Sequence, residues 1–458
     1  MGSARDSLAP CRRRSGGGRR RDRVGEGNLP RHRRLSHSPR FRWDRPPHAF
    51  WTLLRGARVR LARNHALPEK PLLIHTRSSL AGALVLLCAC GDPESPAIPG
   101  LEVEEWEAHS IASDARFVDV RDMTLIDHSL WVLDGAPPFL TRISLETGKA
   151  IHLGQEGEGP GEFLAPWAIQ PKTDSSGILV WDFGVYRVNE FDLDGTYQGS
   201  TTMSQTGRIL ARSDFRKVSY ADPFRVRSTP EGYLAGSFDR RLDHTADFSL
   251  GVIRLSGPSL DPGQLVVNMG ALMVPGVESM TEWAPVPFWD ACAGYLTVWN
   301  PASRVVTWIG PNRSPQAQVP FDLPTGELQT EDIERYLEQM ARLELGPQYR
   351  NHGIDFSTMA PQVQGRFSAH RPLVTDLRCQ DADAVWLRLF STRDDPLGRA
   401  SEWIRLGRNG SKRHVRTPSG FSPLVFTSEG HFGPLELVEG DQAIARLTPP
   451  ATRFSDPG

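Results

Sequence analysis

Charged and polar side chains recur at one place in this 458-residue sequence, a few residues into short β-rich runs. They are Asp119, Arg121 and Asp122, then Gln170, Arg225 and Arg227, then Asp290 beside Trp289, and finally Asp376 and Arg378. Two chemistries are open to such a set. Carboxylates gathered on a common axis could hold a divalent cation, with Asp119, Asp290 and Asp376 as candidate ligands and calcium as the ion that suits oxygen donors. Acids and arginines facing one another can instead neutralise each other in ion pairs. The second outcome is the expectation, and no resident cofactor is expected with it. The histidines from His109 onward (His128, His152, His244, His352, His370, His414 and His431 are the others) all fall outside these runs. Neither a Gly-x-Ser-x-Gly elbow nor a His-Glu-x-x-His pair occurs, which counts against hydrolytic chemistry of the common kinds.

A second candidate is the loop GQEGEGPGEF, Gly154 to Phe163, with four glycines and three glutamates. A phosphate cradle fails here. No Gly-Lys-Ser/Thr follows, Pro160 removes a backbone donor, and Glu156, Glu158 and Glu162 would repel the ligand. A calcium loop needs carboxylates that converge, and glycines interrupt these. The loop therefore reads as a sharp crossing between strands, with Phe163 as apolar anchor and Glu162 capping nearby backbone donors. DLDG, Asp192 to Gly195, resembles the start of a calcium loop, but the twelfth position is Met203, so a hairpin turn is the reading.

The elements that must position these residues repeat. A strand, a polar turn and a second strand recur six times: FVDVRDMTLIDHSLWVLD, PWAIQPKTDSSGILVWD, PFRVRSTPEGYLAGSFD, PVPFWDACAGYLTVWN, PLVTDLRCQDADAVWLRLF and PLVFTSEGHFGPLEL. Five begin with proline, at Pro166, Pro223, Pro285, Pro372 and Pro423. Proline fits where a strand begins, because it donates nothing to the ladder. Further alternating runs closed by Gly turns follow each pair, which makes about four strands per unit. Six such units arranged radially make an all-β, six-bladed β-propeller over residues 101–450. The last unit lacks a fourth strand. LEVEEWEAHSI, residues 101–111, is expected to supply it and close the ring.

One segment, about residues 326–346, has helical spacing at Ile333, Leu337 and Met340, with Thr330 as N-cap and Gly346-Pro347 as its stop. An amphipathic helix inserted between blades 4 and 5, covering one face of the disc, is expected. Cys292 and Cys379 each lie seven residues after the proline of their unit. Equivalent positions in adjacent blades leave open both a disulfide, near the upper limit of its span, and two free thiols.

The near-neutral net charge of −1 averages two unlike pieces. Residues 1–65 hold 18 arginines, no lysine and 4 acids, a net of +14, without hydrophobic periodicity. The chain from Cys90 onward holds 33 basic and 49 acidic residues, a net of −16. The front is read as a disordered extension ahead of a misplaced start, and no nucleic-acid partner is expected. Residues 66–89 read as a signal peptide, with Lys70 and Arg77 before the apolar run Leu80 to Leu87. LCAC, Leu87 to Cys90, resembles a bacterial lipobox, which implies cleavage before Cys90 and diacylglycerol on its sulfur. Residues 90–100 then form the lipidated cysteine and its tether, and residues 451–458 a tail.

The stretch Gly154 to Gly195, with its glycine-rich loop, Gly-x-Phe, proline, Gly-led hairpin, closing Asp and Phe-Asp-x-x-Gly, resembles an NHL-type repeat. With the lipobox, residues 101–450 are similar to exported six-bladed propeller lipoproteins of bacteria. That resemblance implies the fold and leaves the chemistry open, since function lies in sites grafted onto folds. The expectation is a monomeric, non-enzymatic binding or scaffold module of the cell envelope. It would be held to a membrane by its lipid and would meet a protein, a saccharide or another polar small molecule through one face. The competing expectation is an exported hydrolase or lactonase-like lyase with a cation in the axial channel.

Overall fold

The computed structural model describes residues 101–112, 114–203, 225–239, 249–255, 257–258, 262–275, 283–323, 327–345, 353–369, 371–390, 402–437 and 440–450. The Arg-rich front, the signal peptide, Cys90 with its tether, the tail, Pro223 and Gly346-Pro347 lie outside the described residues.

Those residues form six sheets. The first two strands, β1 (Val103–Glu105) and β2 (Glu107–Ser110), belong to the last blades of the ring. Blade 1 is β3 (Val120–Ile126), β4 (Ser129–Asp134), β5 (Leu140–Ser144) and β6 (Ala150–Leu153). Blade 2 is β7 (Pro166–Pro171), β8 (Gly177–Asp182), β9 (Arg187–Asp192) and β10 (Tyr197–Thr202). Blade 3 is β11 (Val226–Thr229), β12 (Gly232–Asp239), β13 (Ser249–Leu255) and β14 (Pro262–Asn268). Blade 4 is β15 (Phe288–Cys292), β16 (Tyr295–Asn300), β17 (Val305–Ile309) and β18 (Pro315–Pro320). Helices α1 (Thr330–Leu345) and α2 (Phe356–Val363) follow it. Blade 5 is β19 (Val374–Cys379), β20 (Ala384–Leu389), β21 (Glu402–Gly407) and β22 (Lys412–Arg416). Blade 6 is β23 (Val425–Thr427), β24 (Gly430–Glu436) and β25 (Gln442–Thr448). The innermost strands β3, β7, β11, β15, β19 and β23 each touch the next, and β23 touches β3, so the ring is closed. The chain is an all-β, six-bladed propeller of four-stranded blades, as the repeat predicts.

The second strand of each blade carries the core. β4 and β8 are buried on both faces, because neighbouring blades cover both sides of a radial sheet. Trp131, Trp181, Trp299 and Trp386 occupy such strands and are fully buried. The aspartates that end β4 and β8 have a structural task. Both oxygens of Asp134 accept the N–H groups of Val118 and Asp119, and both oxygens of Asp182 accept those of Leu164 and Ala165. Each carboxylate thus caps the loop that leads into its blade's inner strand.

Closure by residues 101–111 differs from the expectation in one respect. β2 pairs with β25 as the outer strand of blade 6, as expected, but β1 pairs in parallel with β22 and adds a fifth strand to blade 5. Trp106 sits at the switch, 6% exposed, with its ring stacked on His431 and edge-on to Trp386. The initial segment therefore ties two blades.

The predicted helix is α1, with Glu331 and Asp332 in its first turn. A second helix, α2, was not anticipated; Asp355 caps it by accepting from Thr358 N–H, and Pro361 lies inside it. The two pack on Trp283 and Phe367, with Ile333, Tyr336, Leu337, Ala360 and Val363 buried between them. Asp332 is fully buried and paired with Arg335 and Arg371, which fixes α1 to the segment leading into blade 5. The helical insert has a core of its own.

Three of the repeat prolines mark the approach to a strand and not its first residue: Pro285, Pro372 and Pro423 precede Phe288, Val374 and Val425. Pro166 opens β7 as expected.

Candidate functional site

The glycine-rich loop is an architectural element. Phe163 is fully buried against Phe139 and Phe191, and a β-carbon on Gly154, where φ is +76°, would lie 2.5 Å from the Phe163 ring. Glu162 accepts from the Gly159 N–H and the Gln155 amide, and these bonds hold its carboxyl below the usual range. Arg187 donates to the carbonyls of Glu158, Gly159 and Glu162. In DLDG, Asp192 accepts the N–H groups of Asp194 and Thr196, a tight turn stabilised by its own first residue.

The inner strands bring the sequence-predicted residues into a chain of links between blades. Asp122 accepts the N–H of Ile169, and Arg121 donates to the Pro166 carbonyl at 2.8 Å, joining blade 1 to blade 2. Gln170 accepts the N–H of Ser228 at 3.2 Å, joining blade 2 to blade 3. Arg227 pairs with Asp290, and Asp290 accepts the N–H of Cys379 at 2.8 Å, which carries the chain through blades 3, 4 and 5. Thus a side chain of one inner strand satisfies a backbone donor of the next, where the ladder within each blade ends.

Around Asp290 and Asp376 the links thicken into a cluster. Arg225, 5% exposed, donates to the carbonyls of Trp289 and Leu377, both at 2.8 Å, and to Asp376, also at 2.8 Å. Arg378 reaches the other oxygen of Asp376 at 2.8 Å. Burial alone would raise the Asp290 carboxyl, but Arg227, Arg225 and Arg378 override it and hold it below the usual range. Asp376 is held down in the same way, burial opposed first by Arg378 and then by Arg225. Both are therefore carboxylates at neutral pH, and each is already engaged by guanidinium and backbone N–H groups. Beside them Cys292 and Cys379 form a disulfide, Cα to Cα 5.8 Å, between neighbouring inner strands.

The three carboxylates grouped together from the sequence do not share one set of partners. Asp119 lies just before β3, pairs with Arg121 at 3.3 Å and belongs to blade 1, whereas Asp290 and Asp376 share Arg225 across blades 4 and 5. Among the described residues, no group of three or more His, Cys, Asp or Glu side chains is placed to hold a metal ion. Trp289 contributes its carbonyl to the channel, while its ring is buried with Leu234, Ala291 and Leu296 between blades. Residue type identified the charged members; their partners could not be read, because one residue's change of strand face decides them.

Sequence reasoning passed over a third cluster. His414, 1% exposed, meets Glu402 at 3.2 Å, and Arg416 binds the same carboxylate. His431 lies between Trp106, Trp386 and Phe426, and burial lowers its pKa to about 4. Neither histidine lies on an innermost strand: His414 is on β22, the fourth strand of blade 5, and His431 is on β24, the second strand of blade 6.

The architecture places the chain among six-bladed propellers. No protein-family model matches it, and no curated protein matches it either. Among solved structures it is similar to a member of the DUF4221 family from Bacteroides vulgatus, at 9% identity, over 76% of this chain and 98% of that one, with a TM-score of 0.44. It is similar to virginiamycin B lyase from Staphylococcus aureus at 11% identity, over 75% and 99% of the two chains, with a TM-score of 0.38. It is also similar to glutaminyl cyclase from Myxococcus xanthus at 8% identity, over 76% and 100%, with a TM-score of 0.27. Likenesses this distant carry no ligand or activity across. No helix among the described residues is long and apolar enough to cross a membrane.

Proposed function

We propose that this chain is an NHL-like propeller lipoprotein of the bacterial cell envelope, held to a membrane through Cys90. On this reading it works as a monomeric binding or scaffold module, offering one face of the disc to a protein, a saccharide or another polar ligand. The observation that carries the reading is the state of the axial carboxylates. Asp290 and Asp376 are engaged by Arg225, Arg227 and Arg378 and by backbone N–H groups, so they brace the ring. A cation-dependent lyase or hydrolase would need those oxygens directed at the ion. The lipobox LCAC and the net charge of −16 from Cys90 onward support an exported, tethered domain.

The anchor has a direct test. The full chain is produced in a bacterium fed an alkyne-tagged palmitate, beside a Cys90→Ser variant, and the membrane and soluble fractions are compared. Label on the wild type alone, with release of the variant into the soluble fraction, is the expected result. Equal fractionation and absence of label from both would overturn the tether.

A further inference from the structure

The axial cluster is unevenly supplied with negative charge, and the shortfall falls on particular atoms. Among the described residues, three guanidiniums, from Arg225, Arg227 and Arg378, face two carboxylates. Asp376 is filled: Oδ1 accepts from Arg225 and from the Leu377 N–H, and Oδ2 accepts from Arg378 Nε. Asp290 is filled as well, Oδ1 by Arg227 and Oδ2 by the Cys379 N–H. Once these bonds are assigned, both terminal amino groups of Arg378 and Nη2 of Arg227 have no partner among the described residues. The side chains of Arg227 and Arg378 are each 12% exposed, so they are open to the channel and not sealed beneath it. From the neighbouring strand of blade 5, Arg388 adds positive charge near Asp376.

We propose that Arg378 and Arg227 form a binding site for a small oxyanion, a carboxylate or phosphate group, at the axis between blades 3 and 5. A guanidinium whose Nε is already fixed by a carboxylate presents its terminal N–H groups as an oriented fork, the geometry that suits carboxylate and phosphate oxygens. Those donors are reached from the channel, and an anion meeting them would exchange water for charge-assisted hydrogen bonds while balancing the third positive charge. Burial, reinforced by Arg225 next to it, holds the Arg378 guanidinium below its ordinary range. That is the behaviour of a cation short of counter-charge. The site stands on three adjacent inner strands, two of them joined by the Cys292–Cys379 disulfide, so the donors are positioned before any ligand arrives. The inference does not depend on acylation of Cys90 or on the identity of a partner at the outer face.

The test uses the full chain and two probes, inorganic phosphate and acetate, each titrated calorimetrically against chloride at equal ionic strength and pH. Saturable binding of at least one probe with one site per chain is expected, and the stronger probe identifies the oxyanion class. Arg378→Gln should weaken it about tenfold or more, the loss of one charge-assisted fork, while Arg142→Gln, remote on β5, should leave it unchanged. If circular dichroism shows that Arg378→Gln does not fold, Arg378→Lys retains the charge without the fork and should still weaken binding. Binding of neither probe, or equal affinity in the wild type and the folded Arg378 variant, would overturn the proposal.

Discussion

Replacing Trp106 with alanine should loosen both of the last blades at once, because this side chain sits where the chain leaves one sheet and enters the next. Its backbone N–H donates to the Arg416 carbonyl of blade 5, and the following residues pair with blade 6. The ring is 6% exposed, stacks on His431 at 5.5 Å, meets Trp386 edge-on at 5.9 Å and lies 4.9 Å beneath the Arg413 guanidinium. Burying a side chain of roughly 200 Å² at about 25 cal/mol per Å² is worth about 5 kcal/mol as an upper bound. Measured Trp→Ala losses in cores, about 3–5 kcal/mol, bracket a central figure of about 4 kcal/mol. A domain of about 350 residues has a melting entropy near 0.7 kcal/mol/K, so the expected fall in Tm is about 5–6 °C. Deleting residues 101–111 should cost more, since it also removes both edge strands. Differential scanning calorimetry of the wild type, Trp106→Ala and the exposed control Glu107→Ala makes the comparison. A Trp106→Ala Tm within about 1 °C of the wild type would refute the closure argument.

Other consequences follow from the same geometry. His431 is held neutral with a folded pKa of about 4, against about 6.5 unfolded, so the unfolded chain binds the extra proton between those values. Stability should fall as pH drops from about 6.5 to 4, by up to about 3 kcal/mol from this group, and His431→Asn should flatten that slope in pH-dependent urea melts; parallel slopes would remove His431 as the cause. Asp182→Ala strands the N–H groups of Leu164, Ala165 and Gly184 and should destabilise by about 2–4 kcal/mol in chemical denaturation, whereas a change under about 0.5 kcal/mol would mean water replaces the cap. Reducing the Cys292–Cys379 bridge, which closes a separation of 87 residues, should cost about 4 kcal/mol. Denaturation midpoints that do not move on adding reductant would contradict that link.

The fold was legible because its signals are local and repeated. A proline, an alternating strand, a Gly turn and a closing Asp recur in one order, and only a radial array buries such identical units on both faces. The aspartates ending β4 and β8 were visible as punctuation, yet their capping of loops 15 to 18 residues upstream was not, because that contact exists only once the hairpin has formed. The division of residues 101–111 between two blades was passed over, although the alternation of LEVEEWEAHSI slips by one residue at Glu104-Glu105, where the apolar positions change from Leu101 and Val103 to Trp106 and Ala108. Helix α2 is eight residues long and contains Pro361, too short and too interrupted to give a period. In the channel, residue type pointed to Arg225, Arg227, Asp290, Asp376 and Arg378, but not to Arg225 reaching past blade 4 to bind blade 5. Such pairings depend on side-chain reach across the ring, which no spacing within one strand encodes.

On the function proposed above, the axial carboxylates brace the propeller through their arginine and backbone partners. Elemental analysis of the native protein, purified without chelator and dialysed against calcium, separates this role from that of a cation site. Divalent metal well below one equivalent per chain is predicted, with no difference in Asp290→Asn or Asp376→Asn. One tightly held equivalent of calcium in the wild type, lost from either variant while the fold persists, would contradict it.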